Sequence, residues 1–128
     1  MPGPLATLGV IGDPVAHSIS PDLHNPVLAA LGLDEQYVRW HTPADELAGR
    51  VDALRQPPMR GANVTLPHKV AVLPLLDRLD GSAASLRACN TIVRERDGGL
   101  AGHNTDAPAL RDSLHALGVG PGAAALLL

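Results

Sequence analysis

The amino-acid sequence predicts an α/β fold: a three-layer sandwich around a mainly parallel mixed sheet that includes one antiparallel hairpin. Three observations carry that prediction. Short apolar runs alternate along the chain with segments whose apolar residues recur at helical spacing, the order that builds a parallel sheet covered by helices. Two adjacent strand-like runs, 90–96 and 99–103, are joined through Asp97-Gly98, a hairpin-type turn. Hydrophobic residues make up 45% of the 128 residues and charged residues 18%, which suits one domain with a packed core and argues against a disordered tail.

The elements follow in order. The apolar run 5–11 ends at Gly12-Asp13-Pro14 and reads as a buried strand and turn. Ser20-Pro21 opens a helix, with Ser20 as the expected N-cap and Pro21 at the first helical position. Leu23, Val27, Leu28 and Leu31 share its apolar face, and Gly32 stops it. Residues 36–41 form a second strand. Residues 43–54 form a second helix with Leu47, Val51 and Leu54 on one face, and Pro57-Pro58 ends that unit. Residues 61–65 are a third strand. Pro67 then starts an expected helix with Val70, Leu73 and Leu76 inward, shortened by Pro74. Residues 80–87 make a small helix. After the hairpin, 106–117 form a helix with Leu110, Leu114 and Leu117 inward and Gly118 as its stop. Residues 123–128 read as a last apolar strand.

Composition excludes several function classes. The formal net charge of −3 offers no basic footprint for nucleic acid. Six scattered histidines have no cysteine or carboxylate beside them at metal-ligand spacing, so no metal is expected. A single cysteine excludes a disulfide framework, and Cys89 reads as a small buried hydrophobe. No apolar run reaches the length of a membrane span, and no signal-peptide pattern opens the chain, so a cytoplasmic setting is expected.

The same composition singles out a few residues. Nine of the ten basic residues are arginine, and Lys69 is the sole lysine. Three of the four asparagines, Asn63, Asn90 and Asn104, have a threonine within two positions. In a doubly wound sheet, ligands gather at the carboxyl ends of the strands. Ser18 and Ser20 follow the first strand, and Asn63, Thr65 and Lys69 end the third. Asn90 opens the hairpin, and Asn104 and Asp106 close it. Hydroxyls and amides recognise oxygen-rich molecules by donating and accepting at fixed angles. A lysine gives up and regains a proton where an arginine does not, and a nearby carboxylate holds its ammonium in place. Lys69 and Asp106 are therefore the expected reactive pair. The plainer alternatives are a solvated lysine and an Asp106 that only caps its helix. His17, His24 and His68 read as structural hydrogen-bonders, and no G-x-G-x-x-G run is present.

Taken together, Ser18-Ile-Ser20-Pro21-Asp22-Leu23-His24-Asn25, Asn63-Val-Thr65-Leu-Pro67-His68-Lys69, Ala88-Cys89-Asn90-Thr91 and Gly102-His103-Asn104-Thr105-Asp106 resemble the substrate-binding domain of the shikimate dehydrogenase family. Four motifs in the family's order and spacing span residues 5–128. The resemblance implies NADP-dependent reduction of 3-dehydroshikimate to shikimate, on the route to aromatic amino acids. It implies that Ser18 and Ser20 hold the substrate carboxylate, and that Asn63, Thr65, Asn90 and Asp106 meet the ring hydroxyls. Lys69, paired with Asp106, would be the acid–base group. Arg87 stands where the family usually has glycine. The resemblance divides the chain into a substrate-binding domain, 1–118, and a linker with the first strand of an NADP-binding domain, 119–128, with no cofactor-binding residue in this chain. Alternatives are a quinate/shikimate or aminoshikimate dehydrogenase, or a non-catalytic shikimate-binding module. The expected partner is a small-molecule substrate, with no nucleic acid and no membrane, and the chain is expected to be a monomer or homodimer.

Overall fold

The computed structural model describes Gly3 and residues 5–126. Six strands form one sheet: β1 (Leu5–Gly12), β2 (Glu35–His41), β3 (Gly61–Val64), β4 (Arg78–Leu79), β5 (Thr91–Arg94) and β6 (Leu100–His103). Their order across the sheet is β2-β1-β3-β5-β6-β4. β1 pairs in parallel with β2 and β3, and β4 with β6, whereas β5 is antiparallel to both its neighbours. The expected hairpin is therefore β5–β6. Because β5 is the reversed strand, its first residue lies at the edge where β1, β3 and β6 end.

The helices are α1 (Ser20–Ala30), α2 (Leu47–Ala53), α3 (Gly81–Leu86) and α4 (Asp106–Ala116). Adjacent residues of a strand face opposite sides, and β1 shows both layers. Ile11 joins Leu47, Val51 and Leu54 of α2 with Val64, Ile92 and Leu100 of the sheet. Val10 joins Val15 and Tyr37, with Leu28 of α1 packed against them. The sheet thus lies between α1 and α2, as the alternating pattern predicts. Among the described residues, no helix is long and apolar enough to cross a membrane, and no group of three or more His, Cys, Asp or Glu is placed to hold a metal.

Five expectations are corrected. Ser20 is not the N-cap of α1: Ile19 holds that position with no side-chain cap, and Ser20 is already helical. The apolar face of α1 is largely open, with Leu23, Val27 and Leu31 more than half exposed. α1 rests chiefly on β2, where Pro21 is buried and Leu28 half-buried. The helix expected from Pro67 does not form. Residues 66–72 are turns, and a single 3₁₀ turn spans Leu73–Leu75. The reason is tertiary: the Lys69 carbonyl, which a helix would give to residue 73, accepts instead from the Cys89 N–H at 2.8 Å, and Val70 stays exposed. Pro74 also lacks the N–H that would propagate a ladder.

Leu110, Leu114 and Leu117 of the last helix are exposed rather than inward, and no residue of α4 is buried. Its stop is as expected, with Gly118 in the left-handed region at φ +76°. Residues 123–126 are not a strand, and the remainder of the expected strand, 127–128, lies outside the described residues.

Two stability predictions arise here. Leu54 is 1% exposed at the centre of the larger core, so Leu54→Ala leaves a cavity and lowers unfolding free energy by about 2–5 kcal/mol in urea titrations. Asp80 caps α3 by accepting from the Ala83 N–H at 3.0 Å. The Ser82 hydroxyl, that N–H and His103 hold its carboxyl down at about 2. A depressed folded-state value contributes stability above the ordinary aspartate range near pH 4 and loses it as pH falls toward 2. Melting temperature between pH 5 and 2.5 is expected to fall more steeply for the wild type than for Asp80→Asn.

Candidate functional site

The strand reversal at β5 gathers the polar residues singled out by sequence around one open pocket of about 620 Å³. Ser18 and Ser20 line it from the loop after β1 and the start of α1. Asn63, Thr65 and Lys69 come from the end of β3, Asn90 from the residue before β5, and Asp106 from the start of α4. The structure thus brings all seven together. At Gly12, an added Cβ would sit 2.5 Å from Thr65 Cγ2 and 3.1 Å from the Leu66 carbonyl. Only glycine lets the end of β1 approach that closely, and the approach seats Thr65 on the pocket wall.

Asn90 joins the strands beneath the pocket. It is 8% exposed, and its amide is fully used. Its Nδ2 donates to Thr105 Oγ1 at 2.8 Å and to Asp106 Oδ1 at 2.9 Å. Its Oδ1 accepts from the Thr105 N–H and the Thr91 hydroxyl, both at 3.0 Å. Asn104 handles the start of α4: its Oδ1 accepts from the Asp106 N–H at 2.9 Å and the Ala107 N–H at 3.4 Å. Asp106 is therefore not the cap of its own helix, and its carboxylate is free to turn into the pocket.

There it meets Lys69. Lys69 Nζ donates to Asp106 Oδ2 at 2.6 Å, with the two side chains 30% and 54% exposed. An ion pair this open to water contributes at most about 1 kcal/mol to stability. Its consequence is chemical, since it places a proton-carrying ammonium, held by a carboxylate, beside a cluster of hydroxyls and amides. The opposite wall carries Ser18 Oγ, which donates to Ser20 Oγ at 3.1 Å. His68, beside Lys69, is buried and bonds through Nε2 to the Thr42 carbonyl at 2.6 Å, tying the turn to the end of β2. Cys89 is fully buried, and burial pushes its thiol up.

Sequence reading missed Tyr37. It is 3% exposed on β2, and its hydroxyl donates to Asn63 Oδ1 at 2.8 Å. Burial pushes the phenol up to about 12, against a smaller lowering by the hydrogen bond with Ser20, so the group keeps its proton. His24, read as a structural hydrogen-bonder, instead stacks on the Tyr37 ring at 4.3 Å between centroids and 10° between planes. The available signal was that Tyr37 is the sole tyrosine in a chain without phenylalanine.

Comparison with known proteins agrees with this architecture. A family model described as the shikimate dehydrogenase substrate binding domain matches residues 10–92. A shikimate dehydrogenase (NADP(+)) of Synechococcus sp. (strain JA-2-3B'a(2-13)) is 49% identical over 104 residues, covering 81% of this chain and 36% of that protein. One from Rubrobacter xylanophilus is 45% identical over 119 residues, covering 93% of this chain and 42% of the relative. The crystal structure of shikimate 5-dehydrogenase from Thermus thermophilus, in complex with NADP(H) and shikimate, superposes with a TM-score of 0.80 at 41% identity, covering 91% of this chain and 44% of that one. The chain thus spans well under half the length of these relatives. With the family model, the sequence identity and the superposed fold in agreement, the chain belongs to the shikimate dehydrogenase substrate-binding domain family.

Proposed function

We propose that this chain is the substrate-binding half of a cytoplasmic NADP-dependent shikimate dehydrogenase. The reaction interconverts 3-dehydroshikimate and shikimate and serves aromatic amino-acid synthesis. The carrying observation is the Lys69–Asp106 pair, 2.6 Å apart on the wall of a pocket lined by serine, threonine and asparagine. The names of the relatives and the shikimate-bound Thermus structure support the same reading.

In this reading Ser18 and Ser20 donate their hydroxyls to the substrate carboxylate. Asn63, Thr65 and Asp106 fix the ring hydroxyls, and Asn90, its amide already fully used, holds the Asp106 carboxylate in place. Lys69 gives a proton to the oxygen of the reduced carbonyl and takes it back in the reverse direction, while Asp106 holds the ammonium against that oxygen. The described residues do not fit NADP itself. No strand among them leads through a glycine-rich turn into a helix N-terminus, the arrangement that grips a dinucleotide pyrophosphate. The division into a substrate-binding domain, 1–118, and the start of a cofactor domain from 119 belongs to the same proposal.

Titrating shikimate into the chain by calorimetry tests the binding half, and quinate run in parallel separates the two substrates. Ser18→Ala is expected to weaken shikimate by about 1–2 kcal/mol, the scale of one hydrogen bond to a charged group. An unchanged dissociation constant would reduce the serines to turn residues. In a two-domain form, Lys69→Ala is expected to lower kcat about 10²–10⁴-fold with a smaller change in KM, because proton transfer acts in the transition state. Equal loss in both would assign Lys69 to binding instead.

A further inference from the structure

We propose that Tyr37 is a positioning residue for the pocket, its phenol orienting the Asn63 amide. The proposal rests on the reading of the pocket as a shikimate site and adds to it a residue outside the four motifs.

The geometry allows Asn63 one orientation. β1 lies between β2 and β3, so the Tyr37 side chain crosses it to reach Asn63 Oδ1 at 2.8 Å. On its other side, Asn63 Nδ2 donates to the Asn90 carbonyl at 3.3 Å and to Thr91 Oγ1 at 3.2 Å. A carbonyl can only accept, so the amide nitrogen must face it. The amide oxygen must then face Tyr37, and the phenol must donate. Burial keeps that phenol protonated.

The link extends beyond Asn63. Thr91 passes its own hydrogen to Asn90 Oδ1 at 3.0 Å, and Asn90 Nδ2 donates to Asp106 Oδ1 at 2.9 Å. The donors therefore run in one direction, from Tyr37 through Asn63, Thr91 and Asn90 to the carboxylate that holds Lys69. On the same pocket, the Ser18 hydroxyl donates to Ser20 at 3.1 Å.

Tyr37 is itself clamped. Asn25 Nδ2 donates to the Tyr37 carbonyl at 3.0 Å, and Asn25 Oδ1 accepts from the Tyr37 N–H at 2.8 Å. His24 stacks on the ring. Both residues belong to the Ser18–Asn25 stretch, so one segment supplies two pocket hydroxyls and the clamp on the tyrosine that sets the facing amide.

The test is Tyr37→Phe, which keeps the buried ring and the stack and removes the donor. Shikimate affinity of the 128-residue chain, measured by chemical-shift titration, is expected to fall about 5- to 15-fold, the range of one hydrogen bond. On an Asn63→Ala background the same substitution is expected to change affinity less than about twofold, because its effect runs through Asn63. In the ligand-free chain, the Asn63 side-chain amide resonances are expected to shift and exchange faster in Tyr37→Phe. Wild-type affinity in Tyr37→Phe, or an equal loss on both backgrounds, would overturn the proposal. Absence of shikimate binding by the wild type would overturn the functional reading instead. The ligand-free Asn63 resonances then decide the role of Tyr37: displaced, they support it, and unmoved, they overturn it.

Discussion

The buried amide of Asn90 is the joint on which the pocket depends. Burying an amide with an unmet donor or acceptor costs on the order of 1–3 kcal/mol, and Asn90 avoids the cost only if Thr91, Thr105 and Asp106 all stand where they do. Those partners come from β5 and from the start of α4, and the Asn90 backbone carbonyl accepts from Val64 and Asn63 at the end of β3. One residue thereby ties three elements together at the edge where the sheet presents its carboxyl ends. Its position there is possible because β5 runs against its neighbours.

Saturation beneath the pocket contrasts with availability inside it. Asn104 takes over the capping of α4, which frees the Asp106 carboxylate for Lys69. Asp80 acts in a similar way at the neighbouring helix. It caps α3 and bonds both Ser82 and His103, while Ser82 Oγ receives the Asn104 N–H at 2.9 Å. The groups that face the ligand space are held from behind by groups that do not, so little ordering remains for the moment of binding.

The two helical layers differ in kind. α2 buries Leu47, Val51 and Leu54 against the sheet and anchors the larger core. α1 is tied in through Asn25 on Tyr37 and through Leu28 on the smaller core, and α4 through Asn104 and Asp106. Their apolar residues stay largely in solvent while their ends carry the pocket. These helices place chemistry, and α2 supplies the packing.

By itself the sequence determined the alternation of strand and helix, the hairpin, the α2 face and the residues that surround the pocket. Each is written in local periods, in turn residues, or in rare residue types such as a lone lysine among arginines. Tertiary structure alone decided what depends on a distant partner. The helix expected after Pro67 is lost because Cys89, far along the chain, captures the Lys69 carbonyl. Ser20 is no cap because α1 starts one residue earlier, the Ile19 carbonyl accepting from the Asp22 and Leu23 N–H groups. Which leucines of α1 and α4 are covered depends on what lies over them, and periodicity states only that they share a face. Tyr37 was illegible for the same reason. Its hydroxyl matters through an amide on a strand distant in sequence, and that neighbour exists only once β1 has been laid between their strands.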